Sequence, residues 1–271
     1  MLRVVAILAV IGFGGLFGLA RIEREMVYQF DPRKVAPSDA RLQETRFESG
    51  GHDLVLWVGA PKPGKPVILY FHGNAGGLTD RAGRFTRFLD RGYGVIAMGY
   101  RGSSGSGGVP GEKGITHDAR RLLERVDRFA KEAPVVIYGE SLGTGVAIAA
   151  LAGVGAETRA GVAAVILEAP YTSIADVARN ADPRLDPLIA RMKNRWDSLT
   201  RAHVLTMPLL VIHGTEDTLI PIRQGRSVFA AAPSDRKQFV TVKGGGHTDL
   251  WRSDTLPRLW RFIDDYALSI P

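Results

Sequence analysis

Three side chains with the makings of acyl-transfer chemistry stand far apart in this sequence. Ser141 lies in Gly139-Glu140-Ser141-Leu142-Gly143, Asp217 closes His213-Gly214-Thr215-Glu216-Asp217, and His247 follows Gly244-Gly245-Gly246. A serine hydroxyl is a poor nucleophile at neutral pH and needs a neighbouring base, itself oriented by a carboxylate. The chain order Ser, Asp, His differs from the orders of chymotrypsin and subtilisin. An oxyanion formed at such a serine also needs backbone donors. The amide of Leu142, directly after the serine, is one candidate; the amide of Asn74 in His72-Gly73-Asn74-Ala75-Gly76-Gly77 is the other, with Ala75 as its alternative.

Each assignment has competitors. A bare Gly-x-Ser-x-Gly also suits an ordinary strand-to-helix turn with a capping serine. Asp249 lies too close to His247 in sequence to reach its far ring nitrogen readily and reads instead as a local cap or ion-pair partner. Glu216 adjoins Asp217 and is the other possible acid. Glu140 reads as structural, with an electrostatic influence on the site as the alternative. His72 and His213 sit in His-Gly turns and read as hydrogen-bonded scaffold, while His52, His117 and His203 have no motif around them. Gly76 and Gly77 could suggest phosphate binding, but Gly-x-x-x-x-Gly-Lys-Ser/Thr is absent.

The elements that must hold these residues follow from apolar runs and turn residues. The run Val135 to Tyr138 reads as a buried strand entering the Ser141 turn, and Ala147 to Leu151 continues as a helix. Such a turn needs residues without bulk two positions before and after the serine, which Gly139 and Gly143 supply. Strands are expected at Glu44 to Phe47 and Leu54 to Val58, joined through Ser49-Gly50-Gly51-His52-Asp53 as an antiparallel hairpin. Further strands are expected at Val67 to Phe71, Gly94 to Met98, Val162 to Leu167, Leu209 to His213 and Phe239 to Val242. Helices are expected at Asp80 to Asp90, capped by Thr79, and at Ile115 to Ala130, Ile222 to Ala231 and Leu256 to Leu268. This alternation argues an α/β class with a parallel sheet and right-handed crossovers. Residues from Pro170 to about Arg201 interrupt it as a helical insertion, whose apolar residues from Ile174 to Leu199 either pack it onto the body or line an acyl pocket.

Composition bounds the alternatives. With 271 residues and 45% hydrophobic content the chain can bury the core of one catalytic domain. It has no cysteine, which removes disulfides, thiolate metal sites and a cysteine nucleophile. The net charge of +7 is scattered rather than gathered in one arm, which reads first as an ordinary solvated basic surface and, among partners, favours an anionic membrane surface over nucleic acid. From Val4 to Ala20 runs an apolar and glycine stretch of about 17 residues, the low end of what crosses a bilayer. Residues 1–25 are therefore expected to be a membrane anchor, with a cleaved signal peptide as the alternative. The charge balance places the amino terminus in the cytoplasm and the remaining residues, 26–271, outside it. Met26 to Phe30 reads as a lead-in connecting anchor to domain.

Taken together, His72-Gly73-Asn74, Tyr100-Arg101-Gly102, Gly139-Glu140-Ser141-Leu142-Gly143, His213-Gly214-Thr215-Glu216-Asp217 and Gly246-His247 resemble the α/β-hydrolase superfamily. The likeness is to single-pass, membrane-anchored serine hydrolases, including acyl-protein thioesterase-like and lysophospholipase- or monoacylglycerol-lipase-like members. It runs from about Met26 to the end and takes in the position of the anchor. The resemblance implies a mostly parallel sheet of about eight strands flanked by helices, with a small cap insertion at about 170–201. It also implies a Ser141, Asp217, His247 triad that hydrolyses an ester or thioester of a small-molecule or lipid-like substrate without cofactor or metal. A silent membrane-tethered binding module and a serine peptidase of the same fold are the competing functions. Two departures fall beside the site: Gly99 stands where the family usually has an acidic residue, and Ser103 where a bulky one often follows Gly102.

Overall fold

Each apolar stretch read as a strand forms one, to within two residues at its ends, in the computed structural model, which describes Gly18 and residues 20–267. A helix α1 includes residues 20–27 and leads to the hairpin β1 (Gln43–Ser49) and β2 (His52–Gly59). Then follow β3 (Val67–Phe71), α2 (Ala82–Asp90), β4 (Gly94–Met98), α3 (Glu112–Leu123), α4 (Asp127–Ala130), β5 (Val135–Glu140) and α5 (Leu142–Gly153). The remainder is α6 (Ala156–Ala160), β6 (Val162–Glu168), α7 (Ile174–Ala181), α8 (Asp186–Ile189), α9 (Ser198–Arg201), β7 (Leu209–Gly214), α10 (Ile222–Ala231), β8 (Lys237–Val242) and α11 (Leu256–Ala267).

Among the described residues the strands make one eight-stranded sheet in the order β1-β2-β4-β3-β5-β6-β7-β8. The β1–β2 and β2–β4 pairs are antiparallel and all others parallel, as the glycine-rich hairpin followed by strand-helix alternation requires. Gly50 and Gly51 take φ of 57° and 77°, the left-handed pair that lets a two-residue turn match strand twist. The inner strands are apolar on both faces because helices cover both. Val67, Leu69 and Phe71 of β3 face the layer holding α3, α5 and α10, whereas Ile68 and Tyr70 face α2 and α11. Helix α5 is buried from Leu142 to Leu151, which its run of small apolar residues permits on every side.

Two helices depart from expectation. The one read from Asp80 begins as a 3₁₀ turn at Leu78–Arg81, and Thr79 does not cap it. Its first amides go elsewhere: Gly77 donates to the Asp80 carboxylate at 2.8 Å and Leu78 to Ser104 Oγ at 2.9 Å. The helix read as Ile115 to Ala130 breaks after Leu123, where Arg125 and Val126 donate to the carbonyls three residues back. The anchor expected within residues 1–25 lies mostly outside the described residues, among which no helix is long and apolar enough to cross a membrane.

The Tyr100-Arg101-Gly102 segment joins the hairpin to α3. The Arg101 guanidinium meets the fully buried carboxylate of Asp118 at 2.6 and 2.7 Å, and Ser49 Oγ donates to the same carboxylate at 2.7 Å. Removing one partner of a buried pair leaves an uncompensated charge. Arg101→Leu is therefore expected to cost about 3–5 kcal/mol in urea unfolding, while Arg184→Leu, which breaks the exposed pair with Asp182, costs under about 1 kcal/mol. Equal losses from the two variants would show that the buried pair has no special weight.

Candidate active site

Strand β5 ends in a turn that depends on its two glycines. Ser141 has φ 50° and ψ −114°, a left-handed conformation costly for any residue with a Cβ. A Cβ on Gly139 would lie 2.6 Å from the Gly143 carbonyl, and one on Gly143 would collide with the Phe71 carbonyl at the end of β3. The two glycines so allow the strand, turn and α5 to close tightly, lifting the serine side chain clear of the strand end.

The loops after β7 and β8 bring the other two residues to it. Ser141 Oγ lies 2.9 Å from His247 Nε2, and His247 Nδ1 lies 2.8 Å from Asp217 Oδ2. A carboxylate only accepts, so Nδ1 carries the hydrogen toward Asp217 and Nε2 is left to receive the serine proton. Asp217 is buried, which alone would raise its carboxyl; hydrogen bonds from His213 and His247 and the Ile220 amide outweigh this and hold it well below the usual carboxylate range. It stays ionised at neutral pH, able to orient an imidazole and stabilise its charged form.

The competing acids are placed elsewhere. Asp249 accepts from the Gly246 amide at 2.7 Å and pairs with Arg252, the local role read from its spacing. Glu216 is exposed, its amide bonded to the Gly245 carbonyl. His213 is scaffold, its Nε2 donating to the Ile220 carbonyl at 2.8 Å. His72 packs on Tyr100 with ring centroids 4.1 Å apart, and Tyr100 Oη donates to the His72 carbonyl at 2.9 Å. Gly99, where the family usually has an acidic residue, sits in a tight place: a Cβ would lie 3.1 Å from Ser106 Oγ and 3.2 Å from the Val55 carbonyl, so a side chain there would need its neighbours to give by a few tenths of an ångström. Ser103 lies 3.5 Å from His72 Nε2.

Gly73, Asn74, Ala75, Ser141, Leu142 and His247 all line one pocket of about 640 Å³, a size suited to a small-molecule ligand. Leu142 opens α5, so its amide has no carbonyl within the helix to bond. The Asn74 side chain accepts from the Gln29 amide at 2.9 Å, which anchors the loop. The insertion splits between the two roles considered for it. Ile174, Val177, Leu185, Leu188, Ile189 and Met192 line the pocket, whereas Trp196 is buried beneath it and donates to Tyr28 Oη at 3.0 Å.

Two features escaped sequence reading. The first is a buried charge network under the turn. Arg81 forks onto Glu140 at 2.8 and 3.1 Å and also donates to the Ala75 and Gly77 carbonyls. Arg84 forks onto Glu168 at 2.6 and 2.9 Å, and Tyr70 Oη donates to Glu140 at 2.6 Å. Burial would raise the Glu140 carboxyl, but the Arg81 and Arg84 charges and the Tyr70 hydroxyl hold it ionised. The second is the lead-in, which belongs to the site. Phe30 bridges Gly76, Asp31 donates to the Gly76 carbonyl at 2.9 Å, and Glu23, Val27 and Gln29 line the pocket. The buried, apolar Val27-Tyr28 pair was the available signal for this contact.

Residues 62–198 and 196–251 match the family described as Serine aminopeptidase, S33. The chain is 31% identical over 235 residues to the lysophosphatidylserine lipase ABHD12 of Rattus norvegicus, covering 78% of this chain and 58% of that one. It thus spans less than two thirds of the length of the lipases it first matches. An uncharacterized protein of Mycobacterium tuberculosis is 30% identical over 98% of this chain and 96% of its own. In fold the chain resembles an esterase of Pyrococcus furiosus, with a TM-score of 0.67, 16% identity and coverage of 89% and 99%. It likewise resembles acetyl xylan esterase 1 of Thermoanaerobacterium sp., with a TM-score of 0.66, 19% identity and 93% of each chain covered.

Burial, with the Arg81 charge adding to it and the Gly73 carbonyl opposing it, pushes the His72 imidazole down to about 3. In the unfolded chain it titrates near 6.5. Unfolded His72 binds its proton first, so its penalty is absent above about pH 6.5 and grows as the pH falls toward about 3, by up to about 1.4 kcal/mol per pH unit. Between pH 6.5 and 4.5 the wild type should therefore lose more stability than His72→Asn, measured by urea unfolding. Parallel stability curves would show that the folded imidazole takes up a proton as readily as the unfolded one.

Proposed function

Since the chain belongs to the Serine aminopeptidase, S33 family and so to the α/β-hydrolase superfamily, we propose that it is a serine hydrolase cleaving carboxylic ester or thioester bonds of lipid-like acyl substrates. The observation that carries this reading is the 2.9 Å contact of Ser141 Oγ with His247, backed at 2.8 Å by Asp217, at the floor of a largely apolar pocket.

In the proposed mechanism His247 takes the Ser141 proton as Oγ attacks the acyl carbonyl, and Asp217 stabilises the imidazolium that forms. The Leu142 and Asn74 amides receive the oxyanion. The leaving group takes the proton from His247, and a water activated by the same imidazole releases the acyl group. Arg81 acts as a positioning residue: it ties Glu140, next to the nucleophile, to the carbonyls of the loop that carries Asn74.

An ester or thioester is favoured over the peptide bond that the family description names. An aminopeptidase needs a free carboxylate for the substrate ammonium. Of the two that line this pocket, Glu140 is held by Arg81 and Tyr70, and Glu23 Oε1 accepts from the Lys193 and Asn194 amides and Asn194 Nδ2. The lysophosphatidylserine lipases among the relatives support a single-chain acyl ester as substrate. The apolar run from Val4 to Ala20 supports a chain tethered to a membrane, with its hydrolase domain on the extracytoplasmic side.

A fluorophosphonate probe is expected to label the wild type and not Ser141→Ala; equal labelling of both would remove Ser141 as nucleophile. Across p-nitrophenyl esters and matched thioesters, kcat/KM should rise from short to medium and long acyl chains, and a flat profile would remove the acyl pocket. No turnover at any length, together with a co-purifying partner, would favour a silent binding module. Arg81→Met is expected to lower kcat by roughly 10- to 100-fold with KM nearly unchanged, and a rise in KM alone would place Arg81 in substrate binding instead.

A further inference from the structure

Single exposed apolar side chains are ordinary on protein surfaces, but their gathering around one opening is not. Among the described residues seven large apolar side chains are exposed, and Ile22 (54%), Met26 (58%), Leu188 (49%) and Leu219 (47%) line the same pocket. They come from three separate segments: α1, α8 and the turn just after Asp217. Val35, Val109 and Leu199, the other three, lie away from it. The described residues therefore leave apolar surface uncovered chiefly where the pocket meets solvent.

The charge at this rim is positive on balance, two cations against the single carboxylate of Glu23. Arg191 and Lys193 line the pocket and are exposed, and neither joins an ion pair among the described residues. Glu23 beside them is turned toward the Lys193 and Asn194 amides, from which its Oε1 accepts, and offsets one of the two charges. In the sequence, the apolar run from Val4 to Ala20 leads directly into α1, which supplies Ile22 and Met26.

We propose that this rim is a docking face for an anionic lipid surface, seating the pocket mouth against the leaflet so that an amphiphile enters without crossing bulk water. Apolar side chains flanked by cations are the composition that lies in a headgroup boundary and is drawn to anionic lipid. A second copy of the chain would set one cationic rim against another. The docking face rests on the hydrolase reading only for what passes into the pocket; seating on lipid stands without it.

Tethering alone would carry the protein to vesicles, so the test must read the rim itself. The chain has no cysteine, so single cysteines can be placed in the full chain at Met26, Leu188 and Leu219, and at Val109 and Leu199 as controls. Each is labelled with an environment-sensitive fluorophore and mixed with phosphatidylglycerol–phosphatidylcholine vesicles carrying a quencher shallow in the acyl region. Circular dichroism checks the fold, and a cysteine at Ile22 replaces any rim variant that fails it.

Quenching of the rim labels at least twofold above the controls, reduced in an Arg191→Glu, Lys193→Glu background and by high salt, is the expected result. Equal quenching at rim and control positions while the protein co-sediments with vesicles would leave a tether and no docking face. Rim labels already shielded without lipid would overturn the proposal too: independence of protein concentration would point to the chain's own amino-terminal segment, and dependence on it to a second copy. Ester turnover by the unlabelled wild type is scored separately; its absence alongside the expected quenching would remove the hydrolase reading and keep the docking face.

Discussion

The tightest constraint in the molecule is the approach of α5 to the end of β3. No side chain fits at Gly143 because the Phe71 carbonyl occupies the space, and Gly139 meets the Gly143 carbonyl in the same way. The approach fixes where the amide of Leu142 lies relative to the loop that leaves Phe71, and so sets the two proposed oxyanion donors beside Ser141. The cost is a serine at φ 50°, of order 1–3 kcal/mol. The fully buried α5 offsets it, and further along the same helix Gly145 packs against the Tyr171 hydroxyl so closely that no Cβ fits there either. Strain at the nucleophile is thus held by core packing, and core packing is set by glycines at fixed spacing.

Electrostatics extends that arrangement to the opposite face of the sheet. Glu140 and Glu168 end adjacent parallel strands, and two carboxylates at such a place would repel and desolvate unless compensated. Arg81 and Arg84, one turn apart around the start of α2, each take one of them. Tyr70 and Tyr138, stacked at 5.0 Å, and Trp251 complete the donors. Because Arg81 also holds the Ala75 and Gly77 carbonyls, the loop carrying Asn74 is referenced to the same charge pair as the residue preceding Ser141. Glu140 is therefore part of the geometry, in keeping with its reading as a structural residue, while the partners that give it that part are not suggested by a short motif.

What was legible in the sequence follows from range. Strands such as Val67 to Phe71 announce themselves through apolar runs bounded by proline and glycine. Ser141, Asp217 and His247 are recognisable because each follows a strand in a turn whose chemistry is local. The Arg81 network is invisible by the same token, since its partners are 59 residues apart and no periodicity links an arginine in one turn to a glutamate in another. The helix start assigned to Thr79 failed for a related reason: Ser104, 26 residues away, takes the Leu78 amide that a local cap would have served. In the lead-in, the apolar Val27 and Tyr28 gave a hint of packing, but not of the Asn194 and Trp196 side chains that Tyr28 meets.

The pocket wall has different physics from its floor. Helix α8 has four residues, too short to stand on its own, and the chain after it is held from outside. Glu23 accepts from the Lys193 and Asn194 amides, while Tyr28 Oη donates to the Asn194 side chain and accepts from the Trp196 indole. Asn194 in turn accepts from the Glu112 amide at 2.8 Å, tying the same wall to the start of α3. The segment beside the expected anchor therefore shapes the space into which an acyl group would extend, while the residues proposed for bond cleavage rest on the sheet. Within α1, Glu23 holds the wall, whereas the lead-in that follows, through Gln29, holds the loop carrying Asn74. The wall is thus tied to the amino-terminal edge of the fold through Glu23 and Tyr28, apart from the strained turn and the hydrogen-bonded run from Ser141 to Asp217.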